Sequence, residues 1–221
     1  MLAQPQNDFQ KVHTMSETLI PNPPLTGVHH TARPTWKLRE TIEFYRDKLG
    51  LPLVHAISAR GWPEGHPDFL HFFFDSGLGS TIAFFYYIGT DRPEYLEPRP
   101  SPFYSATHTA WRVEDAQALE VWRQRLVAMG VPIQPQIRHE VIESLYMMDP
   151  NGYMLEISYQ LRPFTSLDSE DAKRTLEAAM QLEDELKSSG KPDVFNNIDA
   201  VWSKKGHGIQ QAFAETEKVS T

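Results

Sequence analysis

Short runs of alternating apolar and polar residues fill the first three quarters of the chain, and the runs appear twice in the same order. In both copies a run that opens with His-Thr-Ala, at residues 30–32 and 108–110, precedes an amphipathic segment with helical periodicity, at residues 38–49 and 116–129. Each amphipathic segment stops at a Gly, and a Pro two positions later forbids continuation of the helix. The pattern therefore predicts a strand followed by a helix in each copy.

The apolar runs that follow each helix are typical of strands. Residues 70–74 in the first copy and 144–148 in the second end at clusters of Asp, Gly, Ser or Asn, and such clusters join strands through tight turns. The last strand of each copy is expected at residues 81–86 and 154–159. The sequence therefore predicts an α+β fold of two tandem βαβββ units, which form a curved, barrel-like mixed sheet.

The repeat also sets the expected domain boundaries. Residues 26–163 are expected to form one domain, with units at 26–95 and 103–163. Residues 1–25 are polar and contain Pro but lack the basic-then-apolar pattern of a signal peptide, so we expect a mobile N-terminal arm. Residues 164–221 have no counterpart in the repeat and are expected to form a helical C-terminal extension.

Within that extension, capping and acidic residues around Asp168 favour a helix start, and Gly190 is expected to end the helix. A second short helix is predicted around Phe195, Ile198 and Trp202, followed by a disordered last dozen residues. The first helix needs a surface to pack on. We expect that surface to be a sheet edge or a second copy in a homodimer, and a lid over a substrate is the alternative.

Composition limits the function classes. The net charge of -8 argues against a nucleic-acid partner, because phosphate binding requires a basic surface. The absence of Cys excludes disulfides and thiolate metal sites. No apolar run approaches the roughly 20 residues of a membrane span. These features favour a cytoplasmic protein without a membrane partner.

Strand alternation indicates which side chains share a face. His30 and His108 occupy equivalent repeat positions, so they converge if the two units pack with pseudo-twofold symmetry. Glu156 lies between Leu155 and Ile157, where a lone carboxylate is costly to bury. Two His and one carboxylate form a facial set that suits Fe(II), and also Mn, Co, Ni or Zn. The alternative is that the histidines are ordinary hydrogen-bonded strand residues and that Glu156 faces solvent.

At these residues the chain resembles the vicinal oxygen chelate superfamily, which includes glyoxalase I, fosfomycin-resistance proteins, bleomycin-binding proteins and type I extradiol dioxygenases. The resemblance covers about residues 26–163 and rests on the motifs at 27–30, 44–51, 108–113 and 149–156. It implies one divalent metal per chain, with Fe(II) expected first. The ligand set that it implies consists of His30, His108 and Glu156, with His30 preferred over His29.

The resemblance also separates reaction types. In glyoxalase I the position that matches Ala83 supplies a fourth ligand, which Ala cannot do, and a three-ligand site is similar to that of the extradiol dioxygenases. Those enzymes place a Tyr at the position of Tyr146, where it hydrogen-bonds the bound substrate. Their second-shell His is missing here, so His71 and His139 are the candidates for acid or base catalysis. Core or surface roles are the alternatives for these residues.

Aromatic residues on the strands favour a small aromatic substrate, and we expect Phe72, Phe84 and Trp111 to line its pocket. The insertion at residues 58–67 either shapes the pocket entrance or is a plain surface loop. The sequence therefore predicts an Fe(II)-dependent extradiol ring-cleaving dioxygenase that acts on a catechol with O2. The alternatives are a glyoxalase-like isomerase, an epimerase or a lyase of the same fold, and a metal-free ligand-sequestering protein of the bleomycin-resistance type.

Overall fold

A computed structural model describes residues 24–62, 64–190 and 198–219, with side chains up to residue 211. Nearly all of the expected N-terminal arm lies outside these residues. The strands of the first unit are β1 (His30–Thr35), β2 (Leu53–Ala59), β3 (Phe69–Gly77) and β4 (Ser80–Tyr87). Those of the second unit are β5 (His108–Arg112), β6 (Ile137–Arg138), β7 (Ile142–Met148) and β8 (Met154–Gln160).

The helices complete two βαβββ units. They are α1 (Leu38–Ile42), which continues into a π-helical turn (Glu43–Lys48), α2 (Pro102–Ser105) in the connection between the units, α3 (Ala116–Ala128), α4 (Ser166–Ser188) and α5 (Ile198–Val219). A 3₁₀ turn (Glu94–Leu96) precedes α2. Both helices that lie inside a unit follow its first strand, so the tandem βαβββ order predicted from the sequence is confirmed.

Each unit forms one four-stranded mixed sheet. The strand orders are β1-β4-β3-β2 and β5-β8-β7-β6, so equivalent strands occupy equivalent places. The first strand of each unit pairs in parallel with the last, and the other pairs are antiparallel. The α+β class is confirmed, although the two sheets stay separate and do not close into a barrel.

Both sheets turn one face toward the helices, and these faces share a single hydrophobic core. The buried residues of that core come from both units: Phe44, Tyr45, Leu49, Phe72, Phe74, Ile82, Phe84, Leu119, Leu126, Val131, Leu145, Met147, Leu155 and Ile157. Because strand side chains alternate, the residues between these positions lie on the opposite faces of the sheets. Those opposite faces carry the predicted metal ligands His30, His108 and Glu156.

A buried polar network joins the two units at the turn between β7 and β8. The Thr35 hydroxyl donates to the side-chain oxygen of Asn151 at 2.7 Å, and the Asn151 amide nitrogen donates to the Thr41 hydroxyl at 3.0 Å. The Tyr45 hydroxyl donates to Asp149 at 3.1 Å. Burial raises the pKa of Asp149, although its hydrogen bonds oppose this rise. The network therefore fixes how the first unit meets the second.

The C-terminal helices pack against each other through residues that include Ala178 and Val201, both of which are buried. The predicted second helix is present as α5, but it is long and continues to Val219. The prediction that the last dozen residues are disordered is therefore wrong for residues 210–219. Gly206 and Gly208 lower the helix propensity of this segment, and packing on α4 offsets that cost. Phe195, which was expected in this helix, lies outside the described residues. Within the part of the chain that the structure describes, no helix is long and apolar enough to cross a membrane.

Candidate metal and substrate site

His108 and Glu156 form the centre of the candidate site. His108 begins β5, and Glu156 lies on the neighbouring strand β8, directly across from Ala110. Nε2 of His108 lies 2.9 Å from Oε2 of Glu156, whose side chain is 3 % exposed. The second oxygen of Glu156 accepts a hydrogen bond from the Ser144 hydroxyl at 2.5 Å. The structure therefore brings two of the three predicted metal ligands together.

The hydrogen bonds of His108 show what this pair requires. Its Nδ1 lies 3.0 Å from the carbonyl oxygen of Ser105, which can only accept, so Nδ1 carries a proton. In the neutral imidazole, Nε2 is then a bare acceptor that faces the Glu156 carboxylate, which is also an acceptor. Two facing acceptors at 2.9 Å require a proton or a cation between them. The pair therefore suits a metal ion, whose ligands are a neutral imidazole and a carboxylate.

Tyr146 and His139 extend this cluster. Tyr146 lies directly across from Glu156 on β7, and its ring meets that of His108 edge-on at 6.3 Å between centroids. Burial raises the pKa of Tyr146, and the charge of Glu156 raises it further, so the phenol is protonated at neutral pH. Nε2 of His139 lies 3.0 Å from the Tyr146 hydroxyl. Of the three predicted catalytic residues, Tyr146 thus lies beside the His108–Glu156 pair and His139 contacts Tyr146.

His30 does not join that pair within one chain. Its ring centroid lies 6.4 Å from that of His71 and 5.9 Å from that of Phe73, on the sheet of the first unit. Among the described residues, no group of three or more His, Asp or Glu side chains could hold a metal ion. The physical reason is the shared core, in which the helix-facing sides of the two sheets pack together. The sheet face that carries His30 therefore points away from the sheet face that carries Glu156. The expected convergence of the two histidines is not found within the described part of the chain, and the three-ligand assignment stays a prediction.

His71 lies on the same face as His30. Its ring stacks on Phe85 at 3.7 Å with an interplanar angle of 7°, and its Nδ1 donates to the Phe84 carbonyl oxygen at 3.1 Å. Burial lowers the pKa of His71, and His30 and His55 lower it further. Since Nδ1 holds the proton, a neutral His71 has its Nε2 lone pair available as a base. This predicted catalytic residue is near His30 and not in the cluster around Glu156.

The three predicted substrate-binding residues lie elsewhere, which corrects that prediction. Phe72 and Phe84 are buried in the core with Tyr45, and Trp111 packs against the same core. Alternation places all three on the helix-facing sides of the sheets, opposite His30 and His108. The reason is that every residue from 72 to 74 is Phe, so composition could not indicate which of them face the core.

An open cavity of about 490 Å³ lies on the His30 face of the first sheet. Apart from the 58–67 insertion, the residues around it were not predicted to line a pocket. They are Ala32, Arg33, Pro34, Trp36, His66, Pro67, Phe85, Tyr87, Thr90, Asp91, Pro93, Tyr95 and Leu96. Strand alternation could have identified the floor of the cavity, because Phe85 and Tyr87 lie two and four residues after Ala83 on β4 and therefore share its face. The insertion at residues 58–67 contributes His66 and Pro67 to one wall.

The chain is similar to proteins of one superfamily. A model of the Glyoxalase/Bleomycin resistance protein/Dioxygenase superfamily matches residues 27–157. MhqA of Bacillus subtilis, provisionally named a ring-cleaving dioxygenase, is 26% identical over 105 residues. That match covers 46% of this chain and 30% of MhqA, so the chain spans less than a third of this relative.

Solved structures with a similar fold carry diverse names. A lactoylglutathione lyase from Agrobacterium tumefaciens is 21% identical, with a TM-score of 0.44, over 62% of this chain and 96% of that protein. The fosfomycin resistance protein FosX from Listeria monocytogenes is 17% identical, with a TM-score of 0.43, over 61% of this chain and 93% of that protein. Both likenesses concern the fold alone.

Proposed function

Because the chain belongs to the Glyoxalase/Bleomycin resistance protein/Dioxygenase superfamily, we propose that it is a metal-dependent enzyme that cleaves the ring of a catechol-type diol with O2. The observation that carries the proposal is the 2.9 Å contact between Nε2 of His108 and Oε2 of Glu156. Nδ1 of His108 donates to the Ser105 carbonyl oxygen, so a neutral His108 has no hydrogen on Nε2 to donate to the carboxylate. Both atoms are of the kind that bind metal ions. The name of MhqA adds support for a ring-cleaving reaction.

The donor set around Glu156 fits a divalent metal in part. His108 and Glu156 would supply two ligands, and we propose His30 as the third. A divalent metal bound there, Fe(II) in our proposal with Mn, Co, Ni or Zn as alternatives, would supply Lewis acidity and a template for substrate. The Ser144 hydroxyl holds the Glu156 carboxylate in place. His108 is held by its hydrogen bond to the Ser105 carbonyl oxygen.

The neighbouring residues supply the proton chemistry of the proposed reaction. The protonated Tyr146 hydroxyl lies beside Glu156 and is suited to donate a hydrogen bond to a substrate oxygen. His139 orients that hydroxyl through its contact of 3.0 Å. We propose neutral His71 as the base on the His30 side, because its Nε2 lone pair is available.

We propose that a second copy of the chain completes the ligand set. His30 lies on an exposed edge strand of one sheet, while His108 begins the edge strand of the other, and the shared core separates their faces. A homodimer can place the His30 face of one protomer against the Glu156 face of its partner. Twofold symmetry would then form two equivalent sites.

The reaction is tested on protein purified without air and loaded with Fe(II). Adding catechol in air should consume O2 and produce a yellow ring-opened product. Glu156→Gln removes the charged ligand with little change of shape and should abolish turnover. Glu143→Gln is the matched control, because Glu143 lies on neighbouring β7 and accepts from the Tyr159 hydroxyl instead. Metal-loaded protein that leaves both catechol and O2 unchanged would refute the proposed reaction.

Oxygen uptake also separates the alternatives. A glyoxalase-like isomerase, an epimerase or a lyase would act without consuming O2, and a metal-free binding protein would keep its ligand affinity after Glu156→Gln. Ala83 bears on the first alternative, because it lies across from Ala32 on the His30 face and supplies no carboxylate. The structure therefore gives no fourth ligand of the glyoxalase I kind at that position.

Mixing two inactive variants tests the second copy. His30→Ala and Glu156→Gln each damage a different half of the proposed shared site. If one protomer supplies His30 and its partner supplies Glu156, random heterodimers should regain one intact site each, or about a quarter of wild-type activity. A mixture that forms heterodimers but stays inactive would contradict the shared site.

A further inference from the structure

The cavity on the His30 face is built from two strands and two connecting segments. Ala32 and Pro34 of β1 and Phe85 and Tyr87 of β4 form its floor, and they face the same side because Ala32 pairs with Ala83 and Pro34 with Phe85. His66 and Pro67 of the insertion and residues of the segment at 90–96 form its walls. Nothing in the proposed reaction of a single-ring catechol requires a cavity of this extent.

The volume of the cavity exceeds that of one aromatic ring. A buried apolar cavity of about 150 Å³ is enough to bind benzene. The cavity here measures about 490 Å³, which lies within the range of small-molecule sites. A single-ring diol would leave most of this space to water. Two or three fused or linked rings would fill it.

The ring geometry of the floor favours a flat aromatic ligand. Phe85 stacks on His71 at 3.7 Å, and it lies parallel to Tyr87 within 8° at 5.8 Å between ring centroids. Phe85 and Tyr87 both line the cavity, so its floor is a flat aromatic surface. Aromatic pairs prefer offset-stacked or edge-to-face arrangements, and a planar ring can form either with this floor. The floor therefore suits a flat aromatic ligand.

Several polar groups of the cavity lining already have partners, and Asp91 is exposed to solvent. Trp36 donates from its indole nitrogen to Thr90 at 3.2 Å, and the Thr90 hydroxyl donates to the Tyr87 carbonyl oxygen at 3.0 Å. The Arg33 guanidinium donates to the Thr109 hydroxyl at 2.7 Å and lies 5.0 Å from the centre of the Tyr153 ring. These groups do not need a charged ligand to satisfy them, so an apolar ring skeleton is compatible with the cavity.

The cavity begins close to His30. Ala32 is two residues along β1 from His30 and points to the same face, a separation of roughly 7 Å along the strand. A planar molecule in the cavity would therefore direct one end toward His30.

We infer that this cavity binds the ring skeleton of a planar substrate with two or three aromatic rings. The oxygen-bearing end of that substrate points toward His30. The orientation of the oxygens rests on the proposed function, whereas the binding of the rings does not.

Four probes separate ring binding from diol chemistry. The full-length protein is titrated calorimetrically with phenol, 2-naphthol, catechol and 2,3-dihydroxynaphthalene. We expect 2-naphthol to bind at least tenfold more tightly than phenol, and the naphthalene diol at least tenfold more tightly than catechol. Equal affinities for phenol and 2-naphthol would overturn the inference. Because neither of these two is a diol, that result is independent of whether the protein cleaves catechols.

Two variants locate the binding. Ala32→Phe fills the end of the cavity nearest His30, and Tyr87→Ala removes part of its floor; each should reduce the preference for 2-naphthol over phenol at least fivefold. Phe103→Ala is the matched control, because Phe103 is an exposed aromatic residue of α2 outside the cavity, and it should keep the wild-type preference. Folding of each variant is checked by circular dichroism. An unchanged preference in either folded cavity variant would place the rings elsewhere.

Discussion

Nε2 of His108 lies 2.9 Å from Oε2 of Glu156, whereas the corresponding residues of the first unit are His30 and Ala83. Both units thus carry the histidine, and the second unit alone carries a carboxylate at the corresponding position of its last strand. Since the carboxylate is buried and contacts Nε2 of His108, the second unit carries the stronger half of a cation site. Metal affinity is therefore expected to depend unequally on the two units.

Replacing the histidines should reveal this inequality. We expect His108→Ala to weaken Fe(II) or Co(II) binding more than about 100-fold, because loss of a ligand should exceed the 10–100-fold loss typical of its supporting partners. His30→Ala should weaken binding less, and His29→Ala less still, because His29 precedes β1 and its Nδ1 contacts Nδ1 of His30 at 2.9 Å. Binding is measured by calorimetry under nitrogen. Wild-type metal affinity in His108→Ala would show that the assignment is wrong.

Ser144 supports Glu156 from the neighbouring strand, and its removal should be measurable. Ser144→Ala deletes the hydroxyl that donates to Oε1 of Glu156, and we expect metal affinity to fall about 10- to 100-fold. Ser158→Ala is the control, because Ser158 lies directly across from Ser144 on β8. Equal effects of the two substitutions would mean that the hydrogen bond does not position the carboxylate.

Local patterns were sufficient to predict the order of the elements. The helix ends at Gly50 and Gly130 are predictable from the sequence, and both residues have positive φ in the structure. Gly50 has a second role that the sequence did not reveal, because a Cβ there would lie 2.6 Å from the guanidinium of Arg125 in the other unit. Arg125 in turn donates to the Lys48 carbonyl oxygen at 2.9 Å. Contacts of this kind depend on how the units pack, which a local pattern does not encode.

The candidate site could be predicted only strand by strand. Alternation placed His30 and Ala32 on the same face of β1, and it placed Glu156 and Leu155 on opposite faces of β8. The strand register agrees with both placements. It could not indicate whether the two sheets meet through their helix faces or through their histidine faces. The sheets meet through the helix faces, because Tyr45 and Asn151 close a buried network between the units. That choice is a tertiary property, and it separates His30 from Glu156.

Gly152 should be much less tolerant of substitution than Gly130. Both have positive φ, of 85° and 64°, so Ala at either position strains the backbone. A Cβ on Gly152 would also lie 2.3 Å from Cγ of Pro98, whereas no heavy atom lies within 4 Å at Gly130. We expect Gly152→Ala to lower the free energy of unfolding by about 2–4 kcal/mol and Gly130→Ala by about 1 kcal/mol. Urea denaturation measures both, and similar losses would contradict the close approach of Pro98.

Asp149 should make a pH-dependent contribution to stability. Burial raises its pKa in the folded state, so its contribution is fully present below the ordinary aspartate pKa and is lost as pH rises through the raised value. Asp149→Asn cannot ionise, and its amide would also face the hydroxyl of Tyr45. We expect the free energy of unfolding of the wild type, relative to this variant, to decrease from about pH 3 to pH 7. A difference that is constant or grows with pH would contradict the raised pKa.

His139 is expected to act through Tyr146 as a positioning residue. The two side chains meet at 3.0 Å, and Tyr146 is the one that lies across from Glu156. Tyr146→Phe should lower kcat for catechol cleavage by about 100-fold, the lower end of the effects of acid or base catalysts. His139→Ala should cause a smaller loss by leaving the tyrosine hydroxyl free to turn away from the substrate.

A double-mutant cycle tests that dependence. If His139 acts only by orienting the Tyr146 hydroxyl, adding His139→Ala to the Tyr146→Phe variant should not lower kcat/KM further. The effects of the two substitutions on kcat/KM will then not be additive. His139→Gln should recover part of the loss, because an amide can still hydrogen-bond the hydroxyl, and Arg138→Ala controls for changes at this exposed edge. Additive losses in the double variant would mean that His139 contributes independently of Tyr146, either by contacting the substrate itself or through another residue.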